Sequence, residues 1–146
     1  MKTIVLVPCS SKKKQTTKPV AAKDLYIGPF FKKAMECAES MKPDKIFILS
    51  AKHHLVELDK KLSCYNMKLD KQPVKYRREW ADKVLRHLKE KGVDLKNDKL
   101  VFLTGKPYYE DLLPQIKKTE IIGEGLRIGL KMQEFNRRIN NKKYES

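Results

Sequence analysis

Three short runs of mostly apolar, largely β-branched residues recur along the chain, at Lys2–Val7, Lys45–Ser50 and Lys99–Thr104. Each is nearly continuous rather than alternating, which is the pattern of strands covered on both faces in a parallel sheet. Glu120–Gly123 reads as a shorter fourth strand. Between the strands the apolar spacing changes to that of helices. Phe30, Phe31, Ala34, Met35 and Ala38 share one face of a helix that starts near Gly28-Pro29 and is broken by Lys42-Pro43-Asp44. Trp80, Val84, Leu85 and Leu88 mark a second helix between Gln72-Pro73 and Lys91, stopped by Gly92. A short helical stretch ends near Pro114, and a basic helix follows from about Ile128 to Asn140, with a tail at Asn141–Ser146. Two segments carry no clear period: the loop Cys9–Leu25, and a polar connector between His54 and Gln72. A loop as long as the first is usually functional or disordered.

Strands alternating with helices predict right-handed βαβ units. The expected fold is therefore α/β, a single domain over residues 1–146 with a central four-stranded parallel sheet and helices on both faces. A chain of 146 residues is long enough to bury such a core without disulfide or metal support.

Charge narrows the partner. Lysine and arginine number 33 against 18 acidic residues, a formal net charge of +15. A polyanion, nucleic acid above all, is the natural partner of such a surface, although a merely solvated lysine-rich surface has the same composition. No run reaches the roughly 18 apolar residues of a membrane span, and Met1–Pro8 is too short for a signal-peptide core, so a cytoplasmic protein with no membrane partner is expected. The three cysteines, Cys9, Cys37 and Cys64, share no CxxC spacing. Reduced thiols and no metal site are expected from that arrangement. The chain has neither a Walker lysine motif nor GxGxxG, and no cofactor is predicted.

In an open parallel sheet a ligand sits outside the carboxyl ends of the strands. The four exits Pro8–Ser11, Ser50–His54, Thr104–Tyr109 and Gly123–Arg127 should therefore converge. Asp24, just before a helix, either caps it or projects into the site as a base. His53, directly after a strand, either bonds a loop carbonyl or serves a leaving group. His54 should point elsewhere, and His87 reads as structural or solvent-facing. Cys9 is an inert buried thiol or, with lysines nearby, an activated nucleophile. Lys12, Lys13 and Lys14 form a solvated run or a phosphate clamp, and Arg127, Lys131, Arg137 and Arg138 on the last helix present the same choice. Tyr26, Tyr65, Tyr108 and Tyr109 interleave aromatic rings with this basic surface, as base stacking requires. Phe30, Phe31 and Trp80 read as core.

At Val7-Pro-Cys-Ser-Ser-Lys-Lys, Lys23-Asp-Leu-Tyr, Leu49-Ser-Ala-Lys-His and Thr104-Gly-Lys-Pro-Tyr-Tyr the sequence resembles a family of short uncharacterised bacterial and phage domains, over nearly its whole length. The Pro8-Cys-Ser-Ser-Lys block is also similar to a loop of archaeosine synthases, whose domain is grouped with the uracil-DNA glycosylase-like superfamily. That second resemblance implies a three-layer α/β/α fold with a base-binding pocket at the strand ends. The Gly-Gln-Asp-Pro-Tyr and His-Pro-Ser motifs of standard uracil-DNA glycosylases are missing here, so no catalytic residue carries over and uracil is a poor substrate guess.

Breaking an N-glycosidic bond builds positive charge on the sugar and negative charge on the departing base. The expectation is a DNA glycosylase acting on a modified or damaged base, in repair or in restriction of phage. Asp24 would steady the sugar cation or position water, and His53 with Lys52 would receive the leaving base. Cys9, Ser10, Tyr26, Tyr65 and Tyr108 would hold that base once flipped, and Lys12, Lys13, Lys14, Arg127 and Lys131 would bind phosphates. The rival readings are an RNA base-modifying enzyme of the deazaguanine type acting through Cys9, a non-catalytic nucleic-acid-binding module, and a small-molecule nucleoside hydrolase.

Overall fold

Backbone pairing in a computed structural model, which describes residues 1–145 and side chains through residue 142, orders eleven strands and helices along the chain. They are β1 (Thr3–Pro8), β2 (Val20–Ala21), α1 (Ala22–Leu25), α2 (Pro29–Ser40), β3 (Lys45–Ser50), β4 (His54–Glu57), β5 (Lys61–Leu62), α3 (Val74–Glu90), β6 (Lys99–Phe102), β7 (Lys118–Ile121) and α4 (Ile128–Glu145). Short 3-10 turns lie at Leu69–Lys71, Lys106–Tyr108 and Leu113–Gln115.

The central sheet runs β4-β3-β1-β6-β7. Strands β3, β1, β6 and β7 are parallel, while β4 pairs antiparallel with β3 from Phe47↔Glu57 to Ser50↔His54. The four expected strands are present, but the sheet has five strands and is mostly, not wholly, parallel. The extra strand comes from the segment expected as a polar connector: β3 turns back through Ala51–His53 in a tight hairpin. A second small ladder, β2 with β5, pairs the long first loop with the rest of that connector.

Alternation along β1 divides the core. Ile4 and Leu6 pack with Trp80, Val84 and Leu88 of α3 on one face, whereas Val5 and Val7 pack with α1, α2 and the Phe135 and Ile139 side chains of α4 on the other. All four β1 side chains are fully buried, each stabilising the fold by about 1.5–3 kcal/mol. Helices therefore cover both faces, which makes three layers. Pro29 stands at the first position of α2 and Gly92 follows α3 in the left-handed region at φ 84°, as their sequence signals required. Helix α4 runs on to Glu145, over positions expected as a tail, and Ser146 lies outside the described residues. Among the described residues no helix is long and apolar enough to cross a membrane.

Candidate active site at the strand ends

Strand β1 lies between β3 and β6, and the connections to them pass over opposite faces of the sheet. The crevice between the carboxyl ends of β1 and β6 is thus the topological switch point, where α/β sheets bind ligands. Two side chains meet across it: Cys9 Sγ, leaving β1, and the Tyr108 hydroxyl, beyond β6, are 3.3 Å apart. Trp80 from α3 stands edge-on to Tyr108, with centroids 5.8 Å apart, and its Nε1 donates to the Ser50 carbonyl at 2.8 Å.

A chain of hydroxyls extends from this point towards β3. The Tyr26 and Tyr65 hydroxyls are 2.6 Å apart, and that of Tyr65 is 2.7 Å from Ser50 Oγ. Ser50 Oγ in turn accepts the His53 backbone N–H at 3.0 Å and so holds the hairpin turn. The His53 ring meets Tyr65 edge-on, with centroids 5.0 Å apart. Burial holds the Tyr65 and Tyr108 phenols protonated well above the ordinary tyrosine range and pushes Tyr26 up to about 12. The three phenols are neutral hydrogen-bonding groups at any physiological pH. Burial, reinforced by the Lys52 and Lys60 charges, lowers the His53 pKa, so its imidazole is neutral at pH 7.

Lys13 completes the cluster. It was grouped with Lys12 and Lys14 as a phosphate contact, yet those two are exposed while Lys13 is buried, with Nζ 4.3 Å from the Tyr65 ring centroid and 5.8 Å from that of Tyr26. The cause is local pairing. Lys13 forms an isolated antiparallel bridge with Tyr26, and its flanks are tied by Lys14 N to Leu25 O at 2.8 Å and Ile27 N to Lys12 O at 3.0 Å. Alternation across that bridge turns the middle lysine inwards. Lys52, exposed, also has its Nζ 5.8 Å from the Tyr65 centroid.

Other predicted residues stand apart. Ser10 Oγ accepts N–H bonds from Lys12 at 3.1 Å and Gly28 at 3.2 Å, so its hydroxyl holds the loop. Asp24 lies within α1, is exposed and caps neither α1 nor α2. It shares a hollow with Lys14, Lys23, Lys32 and Tyr26. Arg127 is exposed, whereas Lys131 is buried with Nζ 3.4 Å from the Thr104 carbonyl, bringing the start of α4 to the exit of β6. Burial lowers the Lys131 pKa. The His54 ring meets His87 edge-on at 5.8 Å, away from the phenols.

Several participants escaped sequence reasoning. Ser50 stood within an expected exit but without a role of its own, and Trp80 looked like core alone. Cys64, exposed, lines a hollow with Ser11, Lys13, Gln15, Tyr65 and Asn66. Asp70 is a carboxylate whose charge is felt at the Tyr108 phenol. The turn that carries it lies in the former connector and packs against the turn bearing Tyr108, a proximity with no sequence signal. Among the described residues no group of three or more His, Cys, Asp or Glu side chains has the grouping a metal ion needs.

Fold and site together define a doubly wound α/β domain whose switch point carries a cluster of neutral phenols, a thiol, an imidazole and a buried amine. Such a set donates hydrogen bonds and stacks on flat rings. The chain belongs to a family of unknown function (DUF6884), whose model matches residues 4–137. Among curated proteins none matches the chain.

Proposed function

We propose that the domain is a DNA glycosylase, which hydrolyses the N-glycosidic bond of a modified or damaged base at the cluster beyond β1, β3 and β6. The observation that carries this reading is the convergence of Cys9, Lys13, Tyr26, Tyr65, Tyr108 and His53 at the switch point of a domain with net charge +15. A polyanion is drawn to the basic surface, and a flipped base finds aromatic faces and neutral donors at the strand ends. The neutral His53 imidazole and the Lys52 ammonium would receive the negative charge of the departing base. The sugar cation calls for a carboxylate, for which the candidates are Asp70, whose charge is felt at Tyr108, and Asp24, which stands apart from the cluster but shares a hollow with Tyr26. Exposed Lys12, Lys14 and Arg127 would contact phosphates. The three-layer architecture is compatible with a uracil-DNA glycosylase-like domain, and that relationship is part of the proposal.

The test is incubation of the purified protein with unmodified, damaged and phage-modified duplex DNA, with free base measured by mass spectrometry and abasic sites revealed by alkali. Release lost in Asp24→Asn or in Asp70→Asn would assign the carboxylate. Binding without release on every substrate would sink the glycosylase reading. A second reading, an RNA base-modifying enzyme, is favoured by one observation, the Cys9 thiol hydrogen-bonded to Tyr108 at the switch point. Product formation on RNA that stops after alkylation of Cys9 would select it.

A further inference from the structure

Lys13 and Lys131 are the buried lysines among the described residues, and whereas Lys131 Nζ donates to the Thr104 carbonyl, Lys13 stands among aromatic rings. Its side chain is buried, and among the described residues no carboxylate lies within ion-pair distance of it. A buried ammonium is ordinarily paired. Here its surroundings are the faces of Tyr65 and Tyr26, which attract a cation but hold it less firmly than a carboxylate would. Backbone pairing on both sides of Lys13 sets its side chain on the inward side of the loop. The same residue lines an open hollow of about 490 Å³ with Cys64, Tyr65 and Asn66. Burial lowers the Lys13 pKa against the opposing pull of Cys9 and Cys64, which leaves a larger fraction of the amine unprotonated than in a free lysine. A positioned, partly desolvated amine without a carboxylate partner is the arrangement that carbonyl chemistry uses.

We propose that Lys13 gives this domain a second activity, that of a lyase on abasic DNA, in which its amine forms a covalent imine with the base-free deoxyribose. The proposal rests on the glycosylase reading for its substrate, because loss of the base leaves a sugar in equilibrium with its open-chain aldehyde. The neutral Nζ adds to the aldehyde carbon C1′, and uptake of one proton from solvent with loss of one water gives the protonated imine. The C2′ proton leaves to water, and its electron pair moves towards the iminium carbon. The C3′–O bond then breaks, expelling the 3′ phosphate with its bonding pair. Water hydrolyses the unsaturated imine, which returns free Lys13 and a strand cut on the 3′ side of the sugar. No metal or redox cofactor enters, and the balance closes with one water released and one consumed and with the proton taken up at imine formation returned on hydrolysis.

The experiment uses a duplex oligonucleotide carrying a preformed abasic site, so that base excision is not required. Borohydride, which reduces the imine to a stable secondary amine, is added during incubation with the full chain. The expected result is a covalent protein–DNA adduct whose peptide map places the sugar on Lys13, together with strand cleavage in its absence. Lys13→Arg keeps the charge but cannot form the imine, and should cut adduct yield by at least about tenfold. Lys96→Arg, on the exposed loop after α3, should leave it unchanged. If Lys13→Arg does not fold, as judged by circular dichroism, the peptide map of the unaltered protein decides alone. An adduct scattered over surface lysines, or unchanged in Lys13→Arg, overturns the proposal. So does the lack of any adduct, and base release from intact DNA measured in parallel shows whether the glycosylase reading falls with it or stands.

Discussion

Lys13 Nζ lies 4.3 Å above the ring of Tyr65, and the hydroxyl of that same ring is bonded to both Tyr26 and Ser50. One side chain therefore holds the amine by its face and the hydroxyl chain by its edge. Tyr65→Phe keeps the face and removes the edge, leaving the Tyr26 hydroxyl and Ser50 Oγ each short of a partner. Leaving buried polar groups unpaired costs about 1–3 kcal/mol. Urea denaturation should show a loss in that range, and a loss below about 0.5 kcal/mol would mean that the hydroxyl chain contributes little to stability.

Gly28 sits where Ser10 needs it. A Cβ there would overlap Ser10 Oγ, the atom that accepts the Gly28 N–H. Gly28→Ala should therefore destabilise the domain, by about 1–3 kcal/mol for overpacking. Ser10→Ala removes the obstructing oxygen, so the double variant should lose less than the sum of the two single losses. Strict additivity in thermal melts would refute the contact.

Thr104 Oγ1 is buried at the exit of β6 without a hydrogen-bond partner among the described residues. Thr104→Val keeps the shape and discards the unpaired hydroxyl. Stability should rise by about 1 kcal/mol, the scale of the desolvation cost of such a group. A fall instead would show that the hydroxyl has a partner in solution.

The pH dependence follows from His53, whose pKa is lowered from 6.5 in the folded chain by burial and then by the Lys52 and Lys60 charges. Protons bind the unfolded state more readily, so His53 leaves stability unchanged well above pH 6.5 and reduces it as the pH falls below that value towards the folded pKa. His53→Gln should flatten that part of the stability curve. A slope unchanged in the variant would place the titration elsewhere.

Phosphate contact by the exposed lysines has a salt signature. If Lys12 and Lys14 each neutralise one phosphate, replacing both by alanine should reduce the slope of log binding constant against log salt by about 1.8, or roughly 0.9 per contact. The affinity for duplexes of different sequence should fall uniformly. An unchanged slope would remove the first loop from the interface.

The legibility of this structure in its sequence divides along physical lines. Strands β1, β3 and β6 are read easily because both faces are buried and apolar residues run without interruption. Helices α2 and α3 are read from one apolar stripe and from Pro29 and Gly92. Strand β4 was missed because it is a short edge strand with only Val56 deeply buried, preceded by the three-residue turn Ala51–His53 and opening on His54 at φ 68°. The candidate site was half legible. Topology pointed to the strand exits and named Cys9, Tyr26, Tyr65, Tyr108 and His53, which do come together. A run of three lysines, however, does not disclose which one turns inwards. That depends on the bridge between Lys13 and Tyr26, a long-range pairing with no local signature. Asp24 was placed by its neighbourhood in the chain, and folding leaves it exposed on α1 in a hollow it shares with Tyr26.

The position of β1 in the middle of the sheet bears on how the domain is made. Cys9 and Tyr108 are 99 positions apart, and β1 gains its second neighbour only when β6 docks. Closing so long a loop costs entropy before any pairing returns it. The hairpin of β3 and β4 can assemble from local contacts, while the crevice between β1 and β6 is among the last parts to close. A chain interrupted before β6 would retain the hairpin and expose one edge of β1, an apolar strand left open to pairing with other chains. The Cys9–Tyr108 contact and the cover over the open edge of β1 therefore come from the same docking of β6.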